Sequence, residues 1–257
     1  MNIFTDIYDF YSEFKGEKGV IGEAVSKLPI FYMAVKKTES PKVIFQYAIH
    51  GREFITSYLA LKQIENFDKN GLLGTAYFIP LLNPDGAIIA SKGYPLYKAN
   101  GRGVDLNVNF DAKWGTGEKN RLQKGEENYI GSYPFSEPET SSLRDFTLKV
   151  LPNATVSYHS KGEEIYWEFF QKGKLKKRSF LLAKAVEEQT GYTIKSTPNS
   201  AGGYKDWCVE KLKIPALTIE VGSDGLSHPI GKENLEEIYH KNKGVVSAVM
   251  NTLTEEV

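Results

Sequence analysis

Stretches of apolar residues alternate with amphipathic segments along most of this chain. The apolar stretches predict strands at residues 31–35, 43–49, 75–82, 155–158 and 216–221. The stretch VIFQYAI at 43–49 is apolar on both faces, which is typical of a strand in a sheet covered on both sides. The amphipathic segments predict helices at residues 5–14, 54–67, 138–151, 176–190 and 234–253, with Thr5 as a candidate N-cap of the first.

Helices that alternate with buried strands predict an α/β fold, a three-layer sandwich in which helices flank a mixed, largely parallel sheet. Residues 68–71 are expected to end the second helix, and residues 83–86 (NPDG) to form a turn. No linker, repeat or charge block divides the chain, so we expect one domain over residues 1–257 with a helical extension at residues 1–20. Residues 91–138 are turn-rich, and so long a loop in a compact domain is either functional or evidence against the assignment of the elements.

Composition and charge exclude several classes of protein. The 257 residues include 32 Lys+Arg and 32 Asp+Glu, so the chain lacks the basic surplus of a nucleic-acid binder. The single cysteine, Cys208, cannot form an internal disulfide and favours a reducing compartment. The first 16 residues lack the pattern of a signal peptide, and no stretch approaches about 18 apolar residues. We therefore expect a cytoplasmic protein with no membrane span and no nucleic-acid partner.

Polar residues follow three of the predicted strands at their carboxyl ends. His50 and Glu53 follow the strand at 43–49, His159 follows the strand at 155–158, and Glu220 lies near the end of the strand at 216–221. In open α/β sheets, sites form in the crevice beyond these strand ends. Two histidines and a carboxylate are the protein ligands of many catalytic zinc sites, and a further carboxylate is suited to proton transfer.

Each of these residues also has an ordinary structural alternative. A histidine at a strand end is often a polar loop residue, and Glu53 suits the first turn of a helix, where the dipole favours an acidic side chain. His228 and His240 have no nearby ligand partners in the sequence, and we expect both at the surface. From the residues alone, the zinc site is therefore one hypothesis among others.

The sequence resembles the M14 family of zinc carboxypeptidases over about residues 20–250. Five blocks occur in the order of that family, and a Gly-Gly…Asp-Trp specificity loop lies between the last two. The blocks are His50-Gly51-Arg52-Glu53, Asn83-Pro84-Asp85-Gly86, Gly103-Val104-Asp105-Leu106-Asn107, Tyr158-His159-Ser160 and Ile219-Glu220, and the loop is Gly202-Gly203-Tyr204-Lys205-Asp206-Trp207. One block alone would be weak evidence, whereas all of them in order strongly favour a zinc hydrolase.

The resemblance implies a metal site and a base. His50, Glu53 and His159 would hold one Zn²⁺, which lowers the pKa of its bound water and polarises the scissile carbonyl. Glu220 would act as general base on that water and then as acid to the leaving amine.

The resemblance also implies residues that support the metal and the oxyanion. Asp105 matches the carboxylate that orients the first zinc histidine, although without the family it reads equally well as a turn aspartate. The oxyanion needs a cation. The aligned position is Lys98, with Arg102 close by, and the sequence leaves the choice between the two open.

Two departures from the family pattern concern substrate binding. The family usually follows its asparagine with an arginine that binds the substrate's terminal carboxylate, but here Asn107 precedes Val108. Digestive members carry a tyrosine where this chain has Pro198, and Tyr204 is the candidate to replace it. We expect Asn107 and Tyr204 among the substrate-binding residues, and the missing arginine argues against ordinary carboxypeptidase recognition.

Lys205 falls at the position of the pocket-floor residue in the family, which favours an acidic group on the substrate. The alternative is a solvated surface lysine. With GGYKDW and HSKGEEIYW, the chain resembles a bacterial branch that includes peptidases of peptidoglycan stem peptides. The resemblance thus implies cleavage of the γ-D-glutamyl–meso-diaminopimelate bond in a small muropeptide-like substrate.

Other functions remain compatible with the residues. A metallocarboxypeptidase that releases a C-terminal acidic residue would cut ordinary α-linked peptides. A deacylase of N-acyl amino acids is disfavoured by the Gly-Gly…Asp-Trp loop. A catalytically inactive module that only binds cell-wall peptides would not need Glu220, but the absence of arginine at position 108 keeps it open.

Overall fold

One eight-stranded sheet organises the chain in the computed structural model, which describes residues 3–66 and 73–254. The strands are β1 (Glu17–Glu23), β2 (Pro29–Lys36), β3 (Lys42–Tyr47), β4 (Thr75–Ile79), β5 (Ala154–His159), β6 (Glu164–Tyr166), β7 (Thr193–Lys195) and β8 (Ala216–Glu220). The helices are α1 (Ile3–Glu13), α2 (Ile55–Glu65), α3 (Pro84–Ser91), α4 (Pro138–Val150), α5 (Gly173–Thr190), α6 (Tyr204–Trp207), α7 (Leu235–Asn242) and α8 (Val245–Thr254). A short π-helix, Cys208–Leu212, continues α6.

The sheet is mixed, with parallel strands at its centre. The strand order is β1-β2-β4-β3-β5-β8-β6-β7. The neighbours β4, β3, β5 and β8 run parallel to one another, whereas β1, β2 and β6 join by antiparallel pairs. The carboxyl ends of β3, β5 and β8 therefore lie side by side at one edge, which is where the candidate catalytic residues were expected.

Apolar side chains of the central strands pack on both faces of the sheet. In β3, Val43, Phe45 and Tyr47 belong to a core formed with α2, α5, α7 and α8, while Ile44 belongs to a second core with α4 and α6. This alternation follows from the two-residue period of a strand. Both faces are covered, so the predicted three-layer α/β sandwich is confirmed.

The two ends of the chain differ from the predictions. Helix α1 begins before Thr5, which lies inside the helix rather than at its N-cap. The predicted helical extension to residue 20 is wrong, because β1 begins at Glu17 and pairs with β2.

The predicted helix at 234–253 is two helices. The side chain of Asn242, at the end of α7, donates to the Ile238 carbonyl and to the Tyr192 hydroxyl, and Gly244 follows before α8 begins.

The NPDG segment is the start of a helix and not an isolated turn. Asn83 accepts a hydrogen bond from the backbone NH of Gly86 at 2.9 Å and so caps α3. Pro84 stands at the first helical position, where no backbone NH is needed. The same residue types favour turns and helix starts, which explains the wrong prediction. The predicted end of the second helix at residues 68–71 lies outside the described residues.

The elements missed by the sequence pattern are short or lie at sheet edges. β1 contains two glycines and shows no two-residue burial pattern, and β6 and β7 have three residues each. Helix α6 is one turn long. Periodicity cannot be recognised over so few residues. Within residues 3–66 and 73–254, none of the helices combines the length and apolar character needed to cross a membrane.

A buried carboxyl group in α4 makes stability depend on pH. Glu139 accepts hydrogen bonds from the Asn100 amide at 3.0 Å and the Val25 backbone NH at 3.2 Å. Burial raises the pKa of Glu139 to about 7, against an ordinary value of 4.5. The unfolded chain therefore binds fewer protons at this group between those pH values, and the free energy of unfolding falls as pH rises through that window.

We expect Glu139→Gln, which resembles the protonated acid, to be more stable than the native chain by about 2–3 kcal/mol at pH 8 and by less than about 1 kcal/mol at pH 5. Urea unfolding at the two pH values measures this difference. Glu126→Gln, at an exposed loop position, is the matched control. An equal gain at both pH values would show that ionisation of Glu139 is not the cause.

Candidate active site

The carboxyl ends of β3, β5 and β8 bring the three predicted metal ligands and the predicted general base together. His159 ends β5 and stands in register with Glu220 at the end of β8. His50 follows β3, and Glu53 ends the single 3-10 turn Gly51–Glu53 that comes next. Gly51 is required here, because a Cβ at this position would lie 2.5 Å from the Gly86 backbone. The close contact between this turn and α3 fixes the positions of His50 and Glu53.

The side chains of His50, Glu53 and His159 form a buried cluster. The His50 Nδ1 lies 2.9 Å from the Glu53 Oε1, and the His159 Nδ1 lies 3.1 Å from the Glu53 Oε2. The two Nδ1 atoms lie 3.2 Å apart. Burial acts to raise the pKa of Glu53, but the two histidines outweigh it and hold that pKa well below its usual range.

This cluster fits a zinc ion. All its candidate ligand atoms lie within 4.8 Å of one another. The His50 Nε2 lies 3.1 Å from the Asp105 carboxylate, which only accepts, so Nε2 carries the proton in the neutral ring and Nδ1 presents a lone pair. That lone pair faces a carboxylate oxygen, and a metal ion bound by both atoms would stabilise this arrangement. Ligands bound at about 2.1 Å to a tetrahedral zinc stand about 3.4 Å apart, a few tenths of an ångström wider than the 2.9–3.2 Å observed here.

Asp105 and Lys98 orient the first histidine. Asp105 is buried and also accepts from the Asn107 backbone NH at 2.9 Å. The Lys98 ammonium lies 2.6 Å from the other oxygen of Asp105 and donates to Asn128 at 2.7 Å. Although burial alone would raise it, Lys98 and His50 hold the pKa of Asp105 well below its usual range. The carboxylate therefore stays ionised and fixes the tautomer of His50.

A second pair of buried residues supports His159, and sequence reasoning missed it. The His159 Nε2 lies 3.3 Å from the Ser157 hydroxyl, which donates to the Gln46 amide oxygen at 2.5 Å. Ser157 lies two residues before His159 and thus on the same face of β5, a signal that the strand pattern contained. Gln46 lies 111 residues away, on β3, so its contribution depends on the pairing of the two strands.

Glu220 lines the pocket in front of this cluster. Burial raises the pKa of Glu220 to about 8, and the carboxylates of Glu53 and Glu164 act in the same direction, while His159 and Lys98 oppose them. A carboxyl group with a pKa near neutrality, beside a candidate metal site, is suited to both accepting and donating a proton.

The pocket has a volume of about 420 Å³ and is built largely from loops. Among the predicted site residues, those that line it are His50, Lys98, Asp105, Asn107, Lys205 and Glu220. Val108 and Pro198, where the sequence departs from the family pattern, line it as well. The turn-rich region at 91–138 supplies much of the wall, as expected of a functional loop.

Two predicted site residues lie elsewhere. Arg102 is outside the described lining of the pocket, half-exposed, with its guanidinium 3.7 Å from Glu137. Tyr204 is fully buried, and its hydroxyl lies 2.9 Å from the Thr147 hydroxyl among the aromatic rings of the second core. On a one-turn helix, Tyr204 and Lys205 point in different directions. Lys205 faces the pocket, and Tyr204 faces the core.

Lys205 is not a solvated lysine. It is buried in the pocket wall, with its ammonium 2.5 Å from the carboxylate of the next residue, Asp206, and 3.0 Å from the Glu168 carbonyl. Asp206 also lines the pocket and accepts from the Gly203 backbone NH at 3.2 Å. The pocket therefore presents an ion pair rather than an isolated positive charge.

The remaining two histidines have different environments. His240 is exposed, as predicted. His228 is half-buried rather than at the surface, and burial lowers its pKa. Its Nδ1 has no hydrogen-bond partner within the described residues.

The α/β fold and the buried His-Glu-His cluster at its strand ends define the class of the protein as a zinc-dependent hydrolase. Residues 17–243 match the model of the Peptidase_M14 family, zinc carboxypeptidase, and the chain belongs to this family. The family is one of zinc metallopeptidases, and the residues of this chain that fit its metal are His50, Glu53 and His159.

Relatives within the family differ in activity. The chain is 26% identical over 264 residues to gamma-D-glutamyl-L-diamino acid endopeptidase 1 of Lysinibacillus sphaericus, with 89% of this chain and 65% of that protein covered. The chain thus spans less than two thirds of that relative.

Two solved structures share the fold. Bovine thrombin-activatable fibrinolysis inhibitor, solved with a tick carboxypeptidase inhibitor, matches with a TM-score of 0.86 at 21% identity, over 100% of this chain and 98% of that chain. Murein-tripeptide amidase MpaA from Escherichia coli O157 matches with a TM-score of 0.67 at 20% identity, over 95% and 94%.

Proposed function

We propose that this chain hydrolyses the γ-D-glutamyl–meso-diaminopimelate bond of peptidoglycan stem peptides. The observation that carries the proposal is the buried Lys205–Asp206 ion pair in the pocket wall. Two further points support it. Val108 stands where the family usually has the arginine for a terminal carboxylate, and the relative from Lysinibacillus sphaericus is named for a γ-D-glutamyl bond to a diamino acid.

The ion pair suits a substrate group that carries both charges. The charge of Lys205 is already neutralised by Asp206. A substrate carboxylate alone would lose its hydration on entering the pocket and would gain little from this lysine in return. The distal end of diaminopimelate carries an ammonium and a carboxylate on one carbon. Its carboxylate suits Lys205 and its ammonium suits Asp206, so both substrate charges are compensated. A glutamate or aspartate side chain offers only one of these contacts.

The metal ligands and Glu220 have different roles in the proposed reaction. Zinc held by His50, Glu53 and His159 supplies a Lewis acid for the scissile carbonyl and a positive charge that favours the ionised form of Glu220. Glu220 takes the proton from the attacking water and then transfers it to the nitrogen of the leaving amine.

Lys98 stabilises the charge that develops on the carbonyl oxygen. Two hydrogens of its ammonium are used by Asp105 and Asn128, which leaves a third as donor to the oxyanion. Asn107, whose amide oxygen accepts from the Tyr204 backbone NH at 3.2 Å, offers its NH₂ group to the substrate.

A substrate panel tests the proposal. The zinc-loaded protein is incubated with L-Ala-γ-D-Glu-meso-diaminopimelate, with the same peptide ending in lysine, and with α-linked peptides ending in glutamate, and the products are identified by mass. Cleavage of the diaminopimelate peptide is expected to be fastest. Efficient cleavage of only the α-linked set would instead establish a carboxypeptidase for acidic C-termini.

We expect Lys205→Met to reduce kcat/KM for the diaminopimelate peptide by at least about tenfold, because Asp206 then lies in the pocket wall without its partner. The lysine-ending peptide, which lacks the distal carboxylate, should lose less. Lys211→Met, a more exposed lysine of the adjoining π-helix, is the matched control. Equal losses on both peptides would mean that Lys205 supports the pocket without selecting the substrate.

We also propose that the protein acts in the cytoplasm on small peptides released from the wall. The single buried cysteine and the balanced charge of the chain support this proposal. Fractionation of cells and immunodetection of the protein would test it, and recovery of the protein mainly outside the cytoplasm would contradict it.

A further inference from the structure

The pocket contains three lysines, and only one of them lacks an ion-pair partner among the described residues. Lys98 is neutralised by Asp105 at 2.6 Å and Lys205 by Asp206 at 2.5 Å. Lys119 lines the same pocket, is exposed at its rim, and has neither an ion pair nor a side-chain hydrogen bond in the described part of the chain. Its positive charge is the one that an incoming anion finds uncompensated.

The loop that carries Lys119 is held in place by a neighbouring segment. The backbone NH of Glu118 donates to the Asn199 carbonyl at 3.1 Å, and the Asn199 side chain donates to the Glu118 carboxylate at 3.0 Å. The Asn120 amide reaches the Ala201 carbonyl at 3.5 Å. The position of Lys119 at the rim is therefore set by contacts on both sides of it, although its side chain is free.

The same segment lies against Val108. Gly202 (φ +88°) lies so close to Val108 that a Cβ on Gly202 would stand 2.7 Å from the Val108 carbonyl oxygen. The backbone NH of Phe110 also donates to the Gly202 carbonyl at 2.9 Å. Lys119 and Val108, an apolar residue that offers no charge, thus line the same pocket on segments that both contact residues 199–202. Asn107, next to Val108, has an amide NH₂ group without a partner among the described residues.

We propose that Lys119 is a specificity-determining residue that binds the free α-carboxylate of the residue released as the amine. The contact is an ion pair at the rim, with Asn107 as a neutral donor beside it. Lys119 lies on an exposed loop, whereas the arginine of the family stands at the position of Val108. The lysine must therefore reach the carboxylate from farther away, and the ion pair is more exposed than one made by a buried arginine. The inference rests on the proposed function only for the identity of the substrate.

The test compares two substrates that differ only in this carboxylate. L-Ala-γ-D-Glu-meso-diaminopimelate is assayed beside its analogue with a carboxamide in place of the α-carboxylate. Lys119→Gln should lower kcat/KM for the free acid by about fivefold, the value of an exposed ion pair, mainly through KM. It should change kcat/KM for the amide by less than about twofold. Lys119→Arg should retain the preference for the acid, and high salt should weaken that preference in the native enzyme.

Lys124→Gln is the matched control, since this exposed lysine of the same loop region does not belong to the described pocket lining. An unchanged ratio of the two substrates in Lys119→Gln, or an equal loss on both, would overturn the inference. If the native enzyme cleaves only α-linked peptides, the proposed function fails. The role of Lys119 is then tested by the ratio of kcat/KM for α-linked peptides with a free C-terminal carboxylate to kcat/KM for the same peptides with a carboxamide. Calorimetry with diaminopimelate and its α-carboxamide gives the same comparison without turnover.

Discussion

Replacing Glu220 by glutamine is expected to lower kcat by a factor of about 10²–10⁴ while the protein retains its zinc. Glutamine has the shape of the carboxylate but cannot take a proton from water. Because Glu220 lies outside the cluster of His50, Glu53 and His159, the metal content should remain that of the native chain. Steady-state kinetics and metal analysis of the same preparation measure the two effects.

Glu164→Gln is the control for this prediction. Glu164 stands opposite Glu220 in the antiparallel pair of β6 and β8, so its replacement makes the same chemical change close to the site. We expect it to retain most of the activity. Near-native turnover by the Glu220 variant would show that another group acts as the base.

Replacing His159 by alanine should remove both zinc and activity. His159 is the last residue of the central strand β5, and its side chain offers one of the three candidate ligand atoms. Loss of a residue that only orients a ligand already weakens metal binding by about 10–100-fold, and loss of the ligand itself should exceed this. Metal analysis after dialysis, together with hydrolysis assays, measures the effect.

His240→Ala is the matched control, since His240 is exposed on α7 and does not belong to the described lining of the pocket. It should bind zinc normally. A His159 variant that folds, as judged by its thermal transition, and still binds one zinc per chain with native affinity would exclude His159 as a ligand.

The sequence predicted the central strands of the sheet and the residues of the buried His-Glu-His cluster because both depend on short-range signals. Continuous apolar stretches identify the central strands, and His50, His159 and Glu220 stand at their carboxyl ends. The order of the strands in the sheet was not needed to expect these residues together, because parallel strands end at the same edge. The residues that fit the metal were therefore available from pattern and resemblance.

The features that the sequence did not reveal depend on contacts between distant segments or on the direction of a single side chain. Tyr204 and Lys205 are neighbours, and only the placement of α6 decides which of them faces the pocket. The contact between Ser157 and Gln46 joins two strands 111 residues apart. The neutralisation of Lys205 by Asp206 requires both side chains to turn to the same side, which periodicity over one helical turn does not specify.

The part of the pocket wall formed by residues 118–120 and 199–201 has a consequence for how such enzymes evolve. The candidate metal ligands stand at or just after strand ends, whereas this wall is made of two loops about 80 residues apart that are hydrogen-bonded to each other. Exchange or lengthening of either loop would replace or displace Lys119, the proposed contact for the substrate carboxylate. The candidate metal ligands and Glu220, which are proposed to carry out hydrolysis, would stay in place. On the proposed function, the contact made by Lys119 can thus change by drift or by engineering while the candidate metal ligands stay the same.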